Sequence, residues 1–284
     1  MANELPLAIQ RKIDCYEPIE TEGFVLYPFR VKDYYEYRIA MAALGFMAQT
    51  LPLKLMSTPI LSAFYKMDYE KIANSEQPTM LFGSAIIGLA LALRLNQSGD
   101  STEEIQRKIA PFCDSEDPSI LKCLKFTLNG EEKKTITPVQ YASMRRIIAA
   151  QNGVKIHDEL DNPDLVKAEE DIVSEKAPKL LFELSNLVSA AAAMTGKDES
   201  EIYEWPILKL KRRLSTFKRI FDYMVCGIGA SQGTTWKGGN PCPNPWLDRA
   251  NEWTGATMPI ENFIGGKGVE AMQNAGALAD FGEQ

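Results

Sequence analysis

His157 is the only histidine in the chain. A Ser-His-Asp or Cys-His relay would have to use it, as would most zinc sites, because those chemistries rely on imidazole as base or ligand. It stands in Lys155-Ile156-His157-Asp158, just past a predicted helix end, with no serine or cysteine motif beside it. A surface loop histidine is therefore expected. Gly265-Gly266-Lys267-Gly268 is partly like a phosphate loop, but Glu261 stands where the first glycine belongs and Gly268 where a hydroxyl residue belongs. No G-x-G-x-x-G opens a helix, and neither H-E-x-x-H nor an EF-hand loop is present. Glu169-Glu170-Asp171 lies on a highly charged stretch and reads as a solvated face, not as a catalytic carboxylate pair. The five cysteines, Cys15, Cys113, Cys123, Cys226 and Cys242, are odd in number and never spaced C-x-x-C. Reduced thiols are expected, with neither a disulfide framework nor a zinc site. The expectation is no enzyme, no cofactor and no metal.

Two features point to binding instead. Lys209, Lys211, Arg212, Arg213, Lys218 and Arg219 fall within 11 residues, while Ile207, Leu210, Leu214, Phe217, Phe221 and Met224 recur at three- and four-residue steps. That is an amphipathic helix with a basic face. The plainer reading is a core helix with solvated cations. The functional alternatives are a contact with an acidic protein or with nucleic acid, and the acidic stretch that precedes the helix, a ready internal or intersubunit partner, ranks nucleic acid low. Trp205, Leu210, Leu214, Phe217 and Phe221 are then the core or partner-groove residues, and Lys211, Arg212 and Arg213 the electrostatic contacts. The second feature is Trp236 to Trp246, a loop whose prolines forbid a helix and whose tryptophans either anchor a partner or pack back on the body.

These residues must be positioned by helices. The 284-residue chain is 45% hydrophobic and 24% charged, ordinary globular composition. A net charge of -7 argues against nucleic acid as a partner. Met1 to Ile13 does not read as a signal peptide. The longest uncharged apolar run, Met80 to Leu93, has 14 residues. A membrane span needs about 20, so a buried core helix is expected and no membrane partner. Phe24 to Phe29 reads as a strand limited by Pro28, and Lys32 to Leu44 as a helix with Tyr35, Ile39 and Ala42 on one face. Ser57-Thr58-Pro59 opens a helix to about Ile72, and Ser101-Thr102-Glu103-Glu104 a capped helix ending near Pro111. Leu124 to Leu128, Asn129-Gly130 and Lys133 to Thr137 read as a β-hairpin. Thr137-Pro138-Val139-Gln140 opens a helix closing near Gly153. Asn162-Pro163 starts another, and Asp158 to Glu204 holds 13 acidic residues against 4 lysines. Pro178 to Met194 is helical, Asp198 caps a short turn, and Pro206 starts a long helix to about Val225. The expected fold is mainly α: a multi-helix bundle with a small β-hairpin and edge-strand element and a flexible C-terminal tail. The expected regions are 1–153, α-rich with small β elements; 154–226, helical with the basic helix; and 227–284, a Trp/Pro/Gly-rich loop and tail.

Three stretches carry a family resemblance: Leu26-Tyr27-Pro28-Phe29-Arg30-Val31-Lys32-Asp33-Tyr34; Ile136 to Tyr141 continuing through Ile147 to Gly153; and Ala193-Met194-Thr195-Gly196 followed by the Trp205-to-Leu210 helix start. Together they resemble the tail assembly chaperones of tailed bacteriophages. The resemblance implies a helical protein that binds the tape-measure protein in the bacterial host cytoplasm, in several copies or as a homo-oligomer, with the tail tube protein as a second expected partner. The rival expectation is a structural protein of the virion tail, neck or baseplate, to which the Trp236 and Trp246 loop would supply a permanent interface.

Overall fold

The computed structural model describes residues 5–97, 99–127, 133–156, 164, 168 and 183–232. The chain divides into two compact units, residues 1–214 and 215–284. Among the described residues there are nine α-helices, a two-stranded sheet and a three-stranded sheet, so the mainly helical expectation holds. His157, the Asn129-Gly130 turn, the Asn162-Pro163 start, Trp236, Trp246 and the C-terminal tail lie outside the described residues.

The core of the first unit is built around one helix. Helix α4 (Leu81–Ala92) is the expected apolar run, and every residue from Ser84 to Ala92 is buried. Such a helix has few polar groups with which to satisfy its own ends. Asp68, on α3 (Ile60–Ala73), supplies the missing acceptor. Its carboxylate takes the Phe82 N–H at 3.1 Å, the Thr79 N–H at 2.6 Å and the Thr79 hydroxyl. A negative charge at a helix N-terminus is also favoured by the helix dipole. The flank of α4 is small: a Cβ on Gly88 would stand 3.4 Å from the Ala40 Cβ of α2 (Tyr34–Leu44). The far end of α2 mirrors the Asp68 arrangement with the opposite charge. Arg145 of α6 (Pro138–Gln151) is buried, and its guanidinium donates to the Ala43 carbonyl at 2.9 Å and the Phe46 carbonyl at 2.5 Å.

Around this core the termini are locally coded. Ser101 and Glu104 form a capping box on α5 (Thr102–Arg107), and Thr137 and Gln140 form another on α6, as expected. Gly153 closes α6 with φ +64°, and a Cβ there would meet Leu208 at 2.9 Å, so glycine suits both the backbone and the space.

Several expectations are corrected. Helix α5 stops at Arg107, and Ile109–Cys113 is strand β3, paired antiparallel with β4 (Leu121–Thr127), which in turn pairs with β5 (Lys133–Ile136). Pro111 is tolerated because β3 is an edge strand. The strand read over Phe24 to Phe29 ends at Leu26: β2 (Phe24–Leu26) pairs with β1 (Ile19–Thr21). The turn between them, Glu22 at φ 52° and Gly23 at φ 77°, has the two positive φ values of a type I′ hairpin. Helix α1 (Leu7–Asp14) was not expected. On α2 the face carrying Tyr35 and Ile39 is exposed, and Tyr37, Ala40, Ala43 and Leu44 are buried instead, because close approach to α4 needs small residues. The Thr58 hydroxyl bonds back to the Leu55 carbonyl and does not cap α3. Cys226 is disulfide-bonded, which corrects the expectation of five reduced thiols; Cys15, Cys113 and Cys123 are free. Spatial proximity, not sequence spacing, decides such pairing. No described helix is long and apolar enough to cross a membrane.

Two substitutions test this core by urea unfolding. Arg145→Met keeps the stem but leaves one buried and one half-buried carbonyl without their donor, and is expected to cost about 2–4 kcal/mol. Gly88→Val overpacks the α2–α4 contact and should cost about 1–3 kcal/mol. A change under about 0.5 kcal/mol in either variant, the range of an ordinary surface substitution, would contradict this account.

Candidate partner-binding helix

The basic amphipathic helix is α9 (Ile207–Ser231), 25 residues long. Its start is held by backbone. The Val31 N–H donates to the Trp205 carbonyl at 2.9 Å, and the Ile207 N–H donates to the Phe29 carbonyl at 2.9 Å, closing an antiparallel bridge between Arg30 and Pro206. Two segments about 175 residues apart in sequence are thus joined. The Phe29 side of this joint is fixed by Asn152, whose Oδ1 accepts the Phe29 N–H at 2.9 Å while its Nδ2 donates to the Ile148 carbonyl at 2.7 Å. Gln151 Nε2 donates to the Leu26 carbonyl at 3.2 Å. Above the joint, Lys32 and Arg30 both engage Glu204, which precedes Trp205 on the turn after α8 (Glu199–Tyr203), the short helix that follows α7 (Leu184–Thr195). The hydrogen bond from Lys32, aided by the charges of Arg30 and Arg94 and opposed by partial desolvation, holds the Glu204 carboxyl below the usual glutamate range.

The structure sorts the sequence candidates into three groups. Trp205 and Leu210 are buried in the core of the first unit together with Ile207 and Leu208, and Leu214 packs on that core. Lys211 and Arg212 are engaged within the same unit. The Lys211 ammonium donates to the Tyr37 hydroxyl at 2.5 Å and lies 4.8 Å from that ring, and burial lowers its pKa. Arg212 bonds Asp14 at 2.9 Å and lies over the Tyr16 ring. Lys209 lies over the Trp205 ring. Arg213 is exposed. Phe217 is half-buried and Phe221 is 48% exposed.

Helix α9 continues past the predicted end at Val225, and the apolar steps continue with it. Ile207, Leu210, Leu214, Phe217, Phe221, Met224 and Ile228 alternate steps of three and four residues, the a and d positions of three heptads. The first three are spoken for by the core. In the second unit Met224 is 49% exposed and Ile228 is 58% exposed, and Val225 beside them is more open still. Thr216, Arg219, Asp222 and Cys226 fall at b, c and f positions, on the opposite face, and each already has a partner. Ile228 was missed in the sequence because Gly227 and Gly229 read as the end of the helix; the unbroken three-four step was the signal that could have found it.

Elsewhere, a hollow of about 400 Å³ is lined by Lys32, Tyr35, Glu183, Leu184, Ser185 and Tyr203. Among the described residues no cluster of three or more His, Cys, Asp or Glu is placed to hold a metal. No protein-family model, no curated protein and no solved structure matches this chain.

The two ends of α9 should separate in stability measurements. Leu210→Ala should cost about 2–4 kcal/mol by cavity formation, while Phe221→Ala should stay within about 0.5 kcal/mol. Equal costs would show that Phe221 is part of a folded core. Glu204→Gln removes a carboxylate whose pKa is depressed on folding. Its contribution is present above the unfolded glutamate range and is lost as pH falls through the lowered value. The wild-type advantage over Glu204→Gln, under about 1 kcal/mol at pH 7 for so exposed a pair, should therefore vanish on acidification. An advantage that grows as pH falls would reverse the assigned role.

Proposed function

We propose that this protein is a tail assembly chaperone of a tailed bacteriophage, which binds the tape-measure protein in the host cytoplasm and keeps it from aggregating until tail tube subunits enclose it. The observation that supports this reading is the outer part of α9, where Phe221, Met224 and Ile228 continue the apolar three-four steps yet remain about half exposed. A stripe of that kind on a helix suits helix-to-helix contact with a long amphipathic chain. The resemblance carried by Leu26 to Tyr34, Ile136 to Gly153 and Ala193 to Leu210 supplies the identity of the partner. In this reading the chemistry is reversible association, and no cofactor takes part.

A chaperone of this kind has to let go. Each contact is therefore of moderate affinity, and strength comes from many copies along one tape measure. Three half-exposed apolar side chains per copy fit that requirement better than a large, fully apolar interface would.

The test is co-expression with the cognate tape-measure protein, followed by sedimentation of the lysate. The wild-type chain should hold the tape measure in the supernatant. Phe221→Asp with Met224→Asp should release it to the pellet while the unfolding midpoint stays unchanged. Quantitative mass spectrometry of finished particles should find this chain absent. A tape measure that pellets regardless, or a constant copy number in particles, would sink the chaperone reading, and the second result would establish a structural virion protein.

A further inference from the structure

The hollow of about 400 Å³ is made by residues of the first unit alone. Lys32 stands on the short turn Val31–Asp33 that leads into α2, and Tyr35 on the first turn of α2 itself. Glu183, Leu184 and Ser185 stand at the start of α7, and Tyr203 is the last residue of α8. A volume of this size is within the range of small-molecule sites. Part of the lining is apolar: Leu184 is buried, and Tyr203 packs on the core. Tyr35 is 65% exposed, but its ring stands edge-on to that of Tyr34 at 6.3 Å, which braces it.

The polar part of the lining carries both signs of charge. An ammonium has three protons to give, and Lys32 gives one of them to Glu204. Glu183 takes the Asn186 side-chain amide on Oε2 at 3.2 Å, which leaves its Oε1 open. The hydroxyls of Tyr35, Ser185 and Tyr203 make no hydrogen bond among the described residues. A purely anionic ligand would meet Glu183 and a purely cationic one Lys32, each at the cost of a like-charge contact. A zwitterion answers both charges. Leu184 and the two tyrosine rings ask in addition for an apolar body beside the charged end. An α-amino acid joins these three groups on one carbon.

We propose that this hollow binds a free α-amino acid with a large apolar side chain. Lys32 takes the carboxylate, Glu183 takes the ammonium, and Tyr35, Leu184 and Tyr203 receive the side chain, with Ser185 as an added donor to the carboxylate. No residue of α9 takes part, so the proposal stands apart from the reading of that helix as a docking surface. An occupant of this kind ties α2 to α7 and α8, and by mass action it stabilises the first unit.

The test is ligand-observed saturation-transfer NMR on the full chain with L-phenylalanine as the probe. L-phenylalanine should bind. N-acetyl-L-phenylalanine lacks the ammonium and L-phenylalaninamide lacks the carboxylate; each should bind at least about tenfold more weakly, the loss of one charge-assisted hydrogen bond. L-alanine, which leaves the rings and Leu184 uncovered, should bind more weakly too. Glu183→Gln should weaken L-phenylalanine by a similar factor without weakening the N-acetyl compound, and the unfolding midpoint should hold because Glu183 is exposed. No binding of L-phenylalanine, equal binding of the three phenylalanine compounds, or a Glu183→Gln variant that binds L-phenylalanine as the wild type does would overturn the proposal. So would tighter binding of the amide or of the N-acetyl compound, which would make the hollow a site for a cation or for an anion instead.

Discussion

An entirely apolar helix in the middle of a protein has to be terminated by something other than itself. Helix α4 shows how this chain meets that constraint. Its N-terminus is capped by a carboxylate from the preceding helix, and the neighbouring α2 ends on a guanidinium delivered by α6. Among the described residues neither charge has an opposite charge bonded to it; each is matched mainly by backbone dipoles. The arrangement fixes α3 against the start of α4 and α6 against the end of α2, so the helices cannot slide without stranding a buried charge. Such an uncompensated group costs several kcal/mol, more than most single apolar contacts contribute.

The second constraint is the joint between Phe29–Val31 and Trp205–Ile207. Two backbone hydrogen bonds are a modest link by themselves, about 1 kcal/mol each. The surroundings give them weight. Asn152 satisfies the Phe29 N–H from the buried side, Trp205 and Ile207 are in the core, and Glu204 ties the exposed side to Arg30 and Lys32. Two of the segments that carry the family resemblance, Leu26 to Tyr34 and Ala193 to Leu210, meet here, and the end of the third, Gln151-Asn152-Gly153, lies beneath them. Stretches that look separate in the sequence are one structural unit: the seat from which α9 starts.

What the sequence made legible was whatever is coded within a few residues. The capping boxes at Ser101 and Thr137, the Asp198 cap and the apolar run of α4 could be read directly. What escaped was coded across the chain. The Asp68 cap acts over 14 residues and the Arg145 cap over about 100, and nothing local marks either residue as a helix terminator. Strand β3 escaped because Pro111 is a stop signal in a helix but harmless on a sheet edge. The α9 stripe was legible as a pattern. Its division into a buried part and an exposed part was not, because the residues on either side of Leu214 are of the same kinds. Periodicity identifies a face; only the neighbouring elements decide what covers it. The same holds for the cations: Lys211, Arg212 and Arg213 are adjacent in sequence, yet among the described residues the first two have side-chain partners and Arg213 has none.

That α9 is one continuous helix through this division has a kinetic consequence. Starting a helix is the slow and unfavourable event, and extending it by a residue is fast. The buried turns at Ile207 to Leu210 serve as a permanent nucleus, so the exposed turns that follow never have to start from coil. In the proposed reading, an arriving chain would then meet a template already in its bound shape, and the ordering entropy would fall on the incoming partner alone. Amide hydrogen exchange along α9 would register the same asymmetry as a gradient, slow near Leu210 and progressively faster toward Ser231.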